Sequence, residues 1–210
     1  MMQAVLTPIT DVTPVSVTLP ERELSGGHWV QRFPGSNLTT ALDEHFRSAV
    51  DGFIHALRTA GVKVLIAATF RPPERAYLMH WSWKLARKKI NPDQVPPMSG
   101  VNIEWNHGDE AASVQAAAAM VAAYGMTELQ VAPALRSRHT ERKAIDMTIS
   151  WSGAVTVKDA SGNDVKIDTH PRTGMNVKLH AVGASYGVIK FWKATVLHVK
   201  SFRPGRVFRS

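Results

Sequence analysis

Between residues 38 and 60 apolar side chains recur at three- and four-residue steps. Leu42, Phe46, Val50, Phe53 and Leu57 share one face, which predicts an amphipathic helix. Thr39 or Thr40 can cap its start, and Gly61 suits its end. Residues 62–69, Val-Lys-Val-Leu-Ile-Ala-Ala-Thr, form a β-prone run that Phe70-Arg71-Pro72-Pro73 breaks. Pro73 fits the first turn of a second helix running to about Lys89, whose Tyr77, Trp81 and Trp83 are expected in the core. Residues 90–108 read as a loop. Asp109-Glu110 opens an alanine-rich helix over 111–124 that Gly125 ends.

The second half is β-prone. Ile145 to Ile149 predicts a strand, and 154–158 and 165–168 predict a hairpin around Asp159-Ala160-Ser161-Gly162-Asn163-Asp164. A turn at 171–174 and a short helix over 176–186 lead to a last β-prone run, 188–199. Ahead of all this, residues 1–37 are rich in Pro, Thr and Val and read as an extended N-terminal arm that Trp29 and Phe33 pin to the body. Residues 38–210 read as a single α+β domain, a small antiparallel sheet flanked by helices.

Composition narrows the chemistry. With 210 residues, 44% hydrophobic and 20% charged, the chain fits a globular protein. It has no cysteine, which excludes disulfides, thiolate metal sites and a cysteine nucleophile. No apolar run is long enough to span a membrane. Met1 to Pro20 lacks a basic patch followed by an apolar core, so no secretory signal is expected. The net charge of +8 sits wholly beyond Thr169, where Asp and Glu are absent and Arg172, Lys178, Lys190, Lys193, Lys200, Arg203, Arg206 and Arg209 occur. Such an end suits anionic partners, or is a solvated basic tail without a specific role. No nucleic-acid motif accompanies it, so nucleic acid is the less favoured partner.

The chemistry centres on Ser137-Arg-His-Thr-Glu-Arg-Lys-Ala-Ile-Asp146. His139 and Asp146 flank a tight connection, one nitrogen and one oxygen donor, a plausible half-site for zinc. Of the nine histidines, His45, His55 and His80 fall on helices, and His107 and His170 in turn-like segments. His198 lies in the final apolar run and is the candidate third ligand; His180 competes but reads as a packing position. The alternative is that Asp146 caps a turn and His139 is an ordinary polar residue.

Ser137-x-His139 … Ala144-x-Asp146, with a later histidine in a C-terminal strand, resembles the zinc D-alanyl-D-alanine peptidases. That group includes the carboxypeptidases, the dipeptidases and the phage L-alanyl-D-glutamate endopeptidases, and shares a fold with the hedgehog signalling domain. Thr69-Phe70-Arg71-Pro72-Pro73-Glu74-Arg75 resembles the family's strand-to-helix segment, and 181–190 its helix leading into the last strand. The resemblance covers about residues 38–200. It implies zinc on His139, Asp146 and His198, with a water of pKa about 7 in the fourth position. It also implies Arg71 on the scissile carbonyl oxygen or substrate carboxylate, and Ser137 on substrate or on His139. The expected partner is a peptidoglycan peptide, with anionic envelope polymers at the basic end. The protein would be made in the cytoplasm and act at the wall after separate delivery.

Two positions depart from the pattern. Arg142 stands where the family usually has glycine, which costs on the order of 1 kcal/mol if the turn needs positive φ. Thr195 stands where the family places a catalytic Asp or Glu, three residues before the last zinc histidine. Loss of a general base costs roughly 10²- to 10⁴-fold in rate. Glu141 is the nearest substitute in sequence. A slow enzyme, an enzyme with a carboxylate from elsewhere, and a degenerate zinc- or muropeptide-binding protein are the readings left open.

Overall fold

The computed structural model describes residues 21–190 and the backbone of 201–204. The fold is α+β. In chain order it runs β1 (Glu23–Leu24), α1 (Glu44–Thr59), β2 (Lys63–Ala68), α2 (Pro73–Ala86), β3 (Ile103–Glu104), α3 (Glu110–Ala123) and β4 (Ile145–Ser150). Then follow β5 (Val155–Lys158), β6 (Asp164–Ile167), α4 (Val177–Ser185), β7 (Val188–Lys190) and β8 (Ser201–Pro204). Short 3-10 turns occupy Gly27–Gln31, Thr39–Ala41 and Pro92–Gln94.

The main sheet has the order β2-β4-β8-β7, and each pairing is antiparallel. β4 alternates strictly: Ile145, Met147 and Ile149 are buried, while Asp146 and Thr148 look to the other face. The buried face packs with Phe46, Val50, Phe53 and Leu57 of α1 and with Leu179 and Val182 of α4. The β5–β6 hairpin closes this core with Val157 and Ile167. A second core lies between α2 and α3 and collects Tyr77, Leu78, Trp81, Leu85, Ala117 and Met120, with Trp29 and Trp105 from the flanking segments. The alanines of α3 leave room for these large rings.

Several boundaries differ from the sequence reading for local reasons. Helix α1 is capped by Asp43, whose carboxylate accepts from the Phe46 N–H, because Thr39 and Thr40 belong to a separate 3-10 turn. Helix α2 stops at Ala86, just before Lys88, which takes a left-handed φ of 52°. Residues 21–37 are more ordered than an extended arm. Glu23–Leu24 pairs in parallel with Ile103–Glu104 inside the expected loop, and Trp29 is buried in the 3-10 turn that follows. The last β-prone run begins at Val188–Lys190; residues 191–200 lie outside the described residues. Within the basic end, Lys190 is buried and Lys178 pairs with Asp168 at 2.8 Å, so neither contributes to a free basic tail. No helix among the described residues is long and apolar enough to cross a membrane.

Candidate functional site

The end of β2, the turn over residues 137–142 and the start of α2 meet beside β4. Asp146 sits between two neighbours, paired to Ala68 of β2 on one side and Ser201 of β8 on the other. A bulge between Ile66 and Ala68 adjusts β2 there. The turn over 137–142 is closed by its own backbone: Glu141 N–H donates to the Ser137 carbonyl at 3.1 Å and Lys143 N–H to the Arg138 carbonyl at 2.7 Å. Arg142 holds φ at 60°, the left-handed region the glycine comparison pointed to, and its guanidinium lies 4.6 Å from the centre of the Phe70 ring.

His139 is bracketed by the β2–α2 connection. Its carbonyl accepts from the Arg71 N–H at 3.2 Å, and its Nδ1 lies 3.3 Å from the Thr69 carbonyl oxygen. A carbonyl can only accept, so Nδ1 carries a proton. Thr69 is fixed in turn. Its hydroxyl donates to the carbonyls of Ser36 and Leu38, both at 2.9 Å. This leaves Nε2 of the buried His139 ring facing Asp146 Oδ2 at 3.3 Å, while Asp146 Oδ1 is buried with no hydrogen-bond partner among the described residues.

Two things can join such an Nε2 and Oδ2: a proton, making an ion pair, or a cation bound to both. A charge-assisted N–H···O bond is normally about 2.7–2.9 Å long. Two donors on a tetrahedral ion with arms of about 2.0–2.1 Å sit about 3.3 Å apart. The 3.3 Å separation is longer than the usual charge-assisted bond and close to the spacing of two donors on one tetrahedral ion. His139 and Asp146 supply two donors. Among the described residues no cluster of three or more His, Asp or Glu is assembled, and His198 lies outside them. Ser201, three positions beyond His198, is the residue paired with Asp146.

Beside this pair lies a cavity of about 520 Å³, lined by Ser36, Phe70, Arg71, Arg75, Tyr124 and His139 among others. The Arg71 side chain has no hydrogen-bond or ion-pair partner among the described residues. Its pKa is lowered from the ordinary arginine value, chiefly by burial; Asp146 opposes the shift and Arg75 adds to it. Arg75 and Tyr124 were not singled out from sequence. The only signal was spacing: Arg75 follows Arg71 by four positions in the first turn of α2. Ser137 is half-buried, and its printed bonds stay within its own turn, with its hydroxyl oxygen accepting from the Thr140 N–H at 3.4 Å. Glu141 is exposed and paired to Arg138 at 3.0 Å. Thr195 lies outside the described residues.

No family model, no curated protein and no solved structure matches this chain.

Proposed function

We propose that the chain is a zinc-dependent peptidase of the hedgehog/DD-peptidase fold that cleaves peptidoglycan stem peptides. The observation that carries this reading is the 3.3 Å approach of His139 Nε2 to Asp146 Oδ2 beside an unpaired arginine in a cavity. His139, Asp146 and, by the resemblance, His198 would hold the metal. Zinc bound there supplies Lewis acidity and an acidified water. The protein's own residues do the rest. Thr69 holds the Nδ1–H of His139, which fixes the tautomer that leaves Nε2 free to ligate. Arg71, anchored through its backbone to His139, is placed to bind an oxyanion or a carboxylate of the peptide.

The purified protein should release amino groups from peptidoglycan, and a chelator should abolish the release. Activity unaffected by chelation would overturn the zinc mechanism. Activity lost in Arg71→Ala but kept in His198→Ala would overturn the ligand set.

A second reading, a degenerate binding protein of the same fold, is favoured by the missing carboxylate. No Asp or Glu lines the cavity among the described residues, and Glu141 is engaged with Arg138. Thr195→Asp separates the two. Hydrolysis gained only in that variant marks the natural chain as a binding protein, whereas hydrolysis by the natural chain excludes that reading.

A further inference from the structure

The cavity wall carries a second guanidinium that the zinc-and-Arg71 chemistry does not use. Arg75 is held rigidly. One of its terminal nitrogens donates to the carbonyls of Val30 at 2.9 Å and Phe33 at 3.3 Å, and its guanidinium stacks 4.7 Å from the centre of the Tyr124 ring. These contacts leave the rest of its donor fork for the cavity, which Arg75 lines together with Arg71. Neither arginine has a carboxylate partner among the described residues, and no acidic side chain lines the space between them. The Asp146 carboxylate acts on Arg71 electrostatically but makes no ion pair with it, and lies 3.3 Å from His139 Nε2.

Two half-buried guanidinium groups line one wall, with Arg75 near enough to disfavour the charge on Arg71, a costly arrangement without a bound anion. An anion in the cavity relieves it, and a guanidinium fork matches a carboxylate in shape as well as charge. A cavity lined by one sign of charge also concentrates anions from solution.

We infer that Arg75, beside Arg71 on the same wall, forms a subsite for a carboxylate on the substrate other than any group at the reacting bond. In a stem peptide that description fits the α-carboxylate of a γ-linked D-glutamate, an acidic group internal to the chain. The identity of the peptide rests on the peptidase reading; the charge preference rests on the cavity alone. Because Arg75 is fixed by backbone carbonyls and an aromatic ring, it acts as a preset selector and needs no rearrangement to bind.

The test uses two synthetic probes, N-acetyl-L-Ala-γ-D-Glu-L-Lys-amide and the same peptide with the glutamate α-carboxylate amidated. Calorimetric binding to the full chain is measured with and without added zinc, and hydrolysis is followed separately. The natural chain is expected to bind the acid about tenfold or more tightly than the amide, with or without zinc. In Arg75→Gln the ratio should fall to within about twofold, while Arg75→Lys should keep part of it because the charge remains and the fork is lost. The ratio is insensitive to a partly unfolded sample, since both probes see the same protein. If Arg75 only supports the fold, both affinities fall together and the ratio stays. That result, or a natural chain that does not discriminate, overturns the subsite. Discrimination without hydrolysis leaves the subsite standing and removes the peptidase reading. Hydrolysis without discrimination does the reverse.

Discussion

Replacing Arg142 by glycine and, separately, by alanine sets two opposing effects against each other in one turn. Both variants lose the stacking of the guanidinium on Phe70, worth about 0.5–1 kcal/mol at a partly exposed site. They differ in the backbone. At φ 60° a Cβ clashes with the neighbouring carbonyl, a cost of about 1–2 kcal/mol that alanine keeps and glycine removes. Glycine in return gives the unfolded chain more freedom, which lowers stability by about 0.4–1 kcal/mol relative to alanine. The strain is the larger effect, so Arg142→Gly should be more stable than Arg142→Ala by about 0.5–1 kcal/mol. For a chain of this size that is a difference of about 1–4 °C in Tm, and a higher urea midpoint with an unchanged slope. Both are measured on metal-free protein, so that ligand binding does not enter. Alanine equal to or better than glycine would mean that the turn between the two donors is not held in the left-handed region.

Further expectations concern the supports of the site. Asn176 is fully buried; its amide donates to Thr169 and Pro171 oxygens while its carbonyl caps α4 on the Lys178 and Leu179 N–H groups. Asn176→Ala should cost about 3 kcal/mol in urea unfolding, and Asn176→Asp, which keeps the cap but faces oxygens with oxygens, should be no better; a near-neutral aspartate would refute this network. Burial pushes the Tyr124 hydroxyl up to about 12, against Arg75, so the folded chain holds this proton over a pH range where the unfolded chain, near 10, has released it. Stability should therefore be full below about pH 10 and fall as pH rises toward 12, and Tyr124→Phe should flatten that fall; an identical high-pH profile in the variant would contradict it. A Cβ on Gly183 would sit 2.8 Å from the Val188 carbonyl and 3.3 Å from Phe53, so Gly183→Ala should destabilise by about 1–3 kcal/mol, checked by thermal melting.

What the sequence made legible follows from how local each signal is. The period of Phe46, Val50, Phe53 and Leu57 and the alternation of Ile145, Met147 and Ile149 are written into adjacent residues, and the elements appear where those patterns lie. Proline at the start of α2 and acids at the start of α3 work the same way. The parallel pairing of β1 with β3 was not legible, because each strand has two residues and the partners are separated by 80 positions. Asp43 lost to Thr39 and Thr40 as the expected cap because the apolar pattern extends back through Leu42, which is buried but not helical. At the site, His139, Asp146 and Arg71 could be named from their order along the chain. Their mutual approach depends on the Thr69–His139 bond and the β2–β4 register, both of which are tertiary. The role of Arg75 is tertiary too, since the groups that fix it come from residues 30, 33 and 124.

The central claim is that His139 and Asp146 are two donors of a zinc site, and metal analysis of the purified chain tests it most directly. Protein dialysed against buffered zinc should retain about one ion per chain, His139→Ala and Asp146→Asn should each lose it, and Arg71→Ala should keep it. A natural chain that retains no zinc, or a His139→Ala variant that retains as much as the natural chain, would contradict the account.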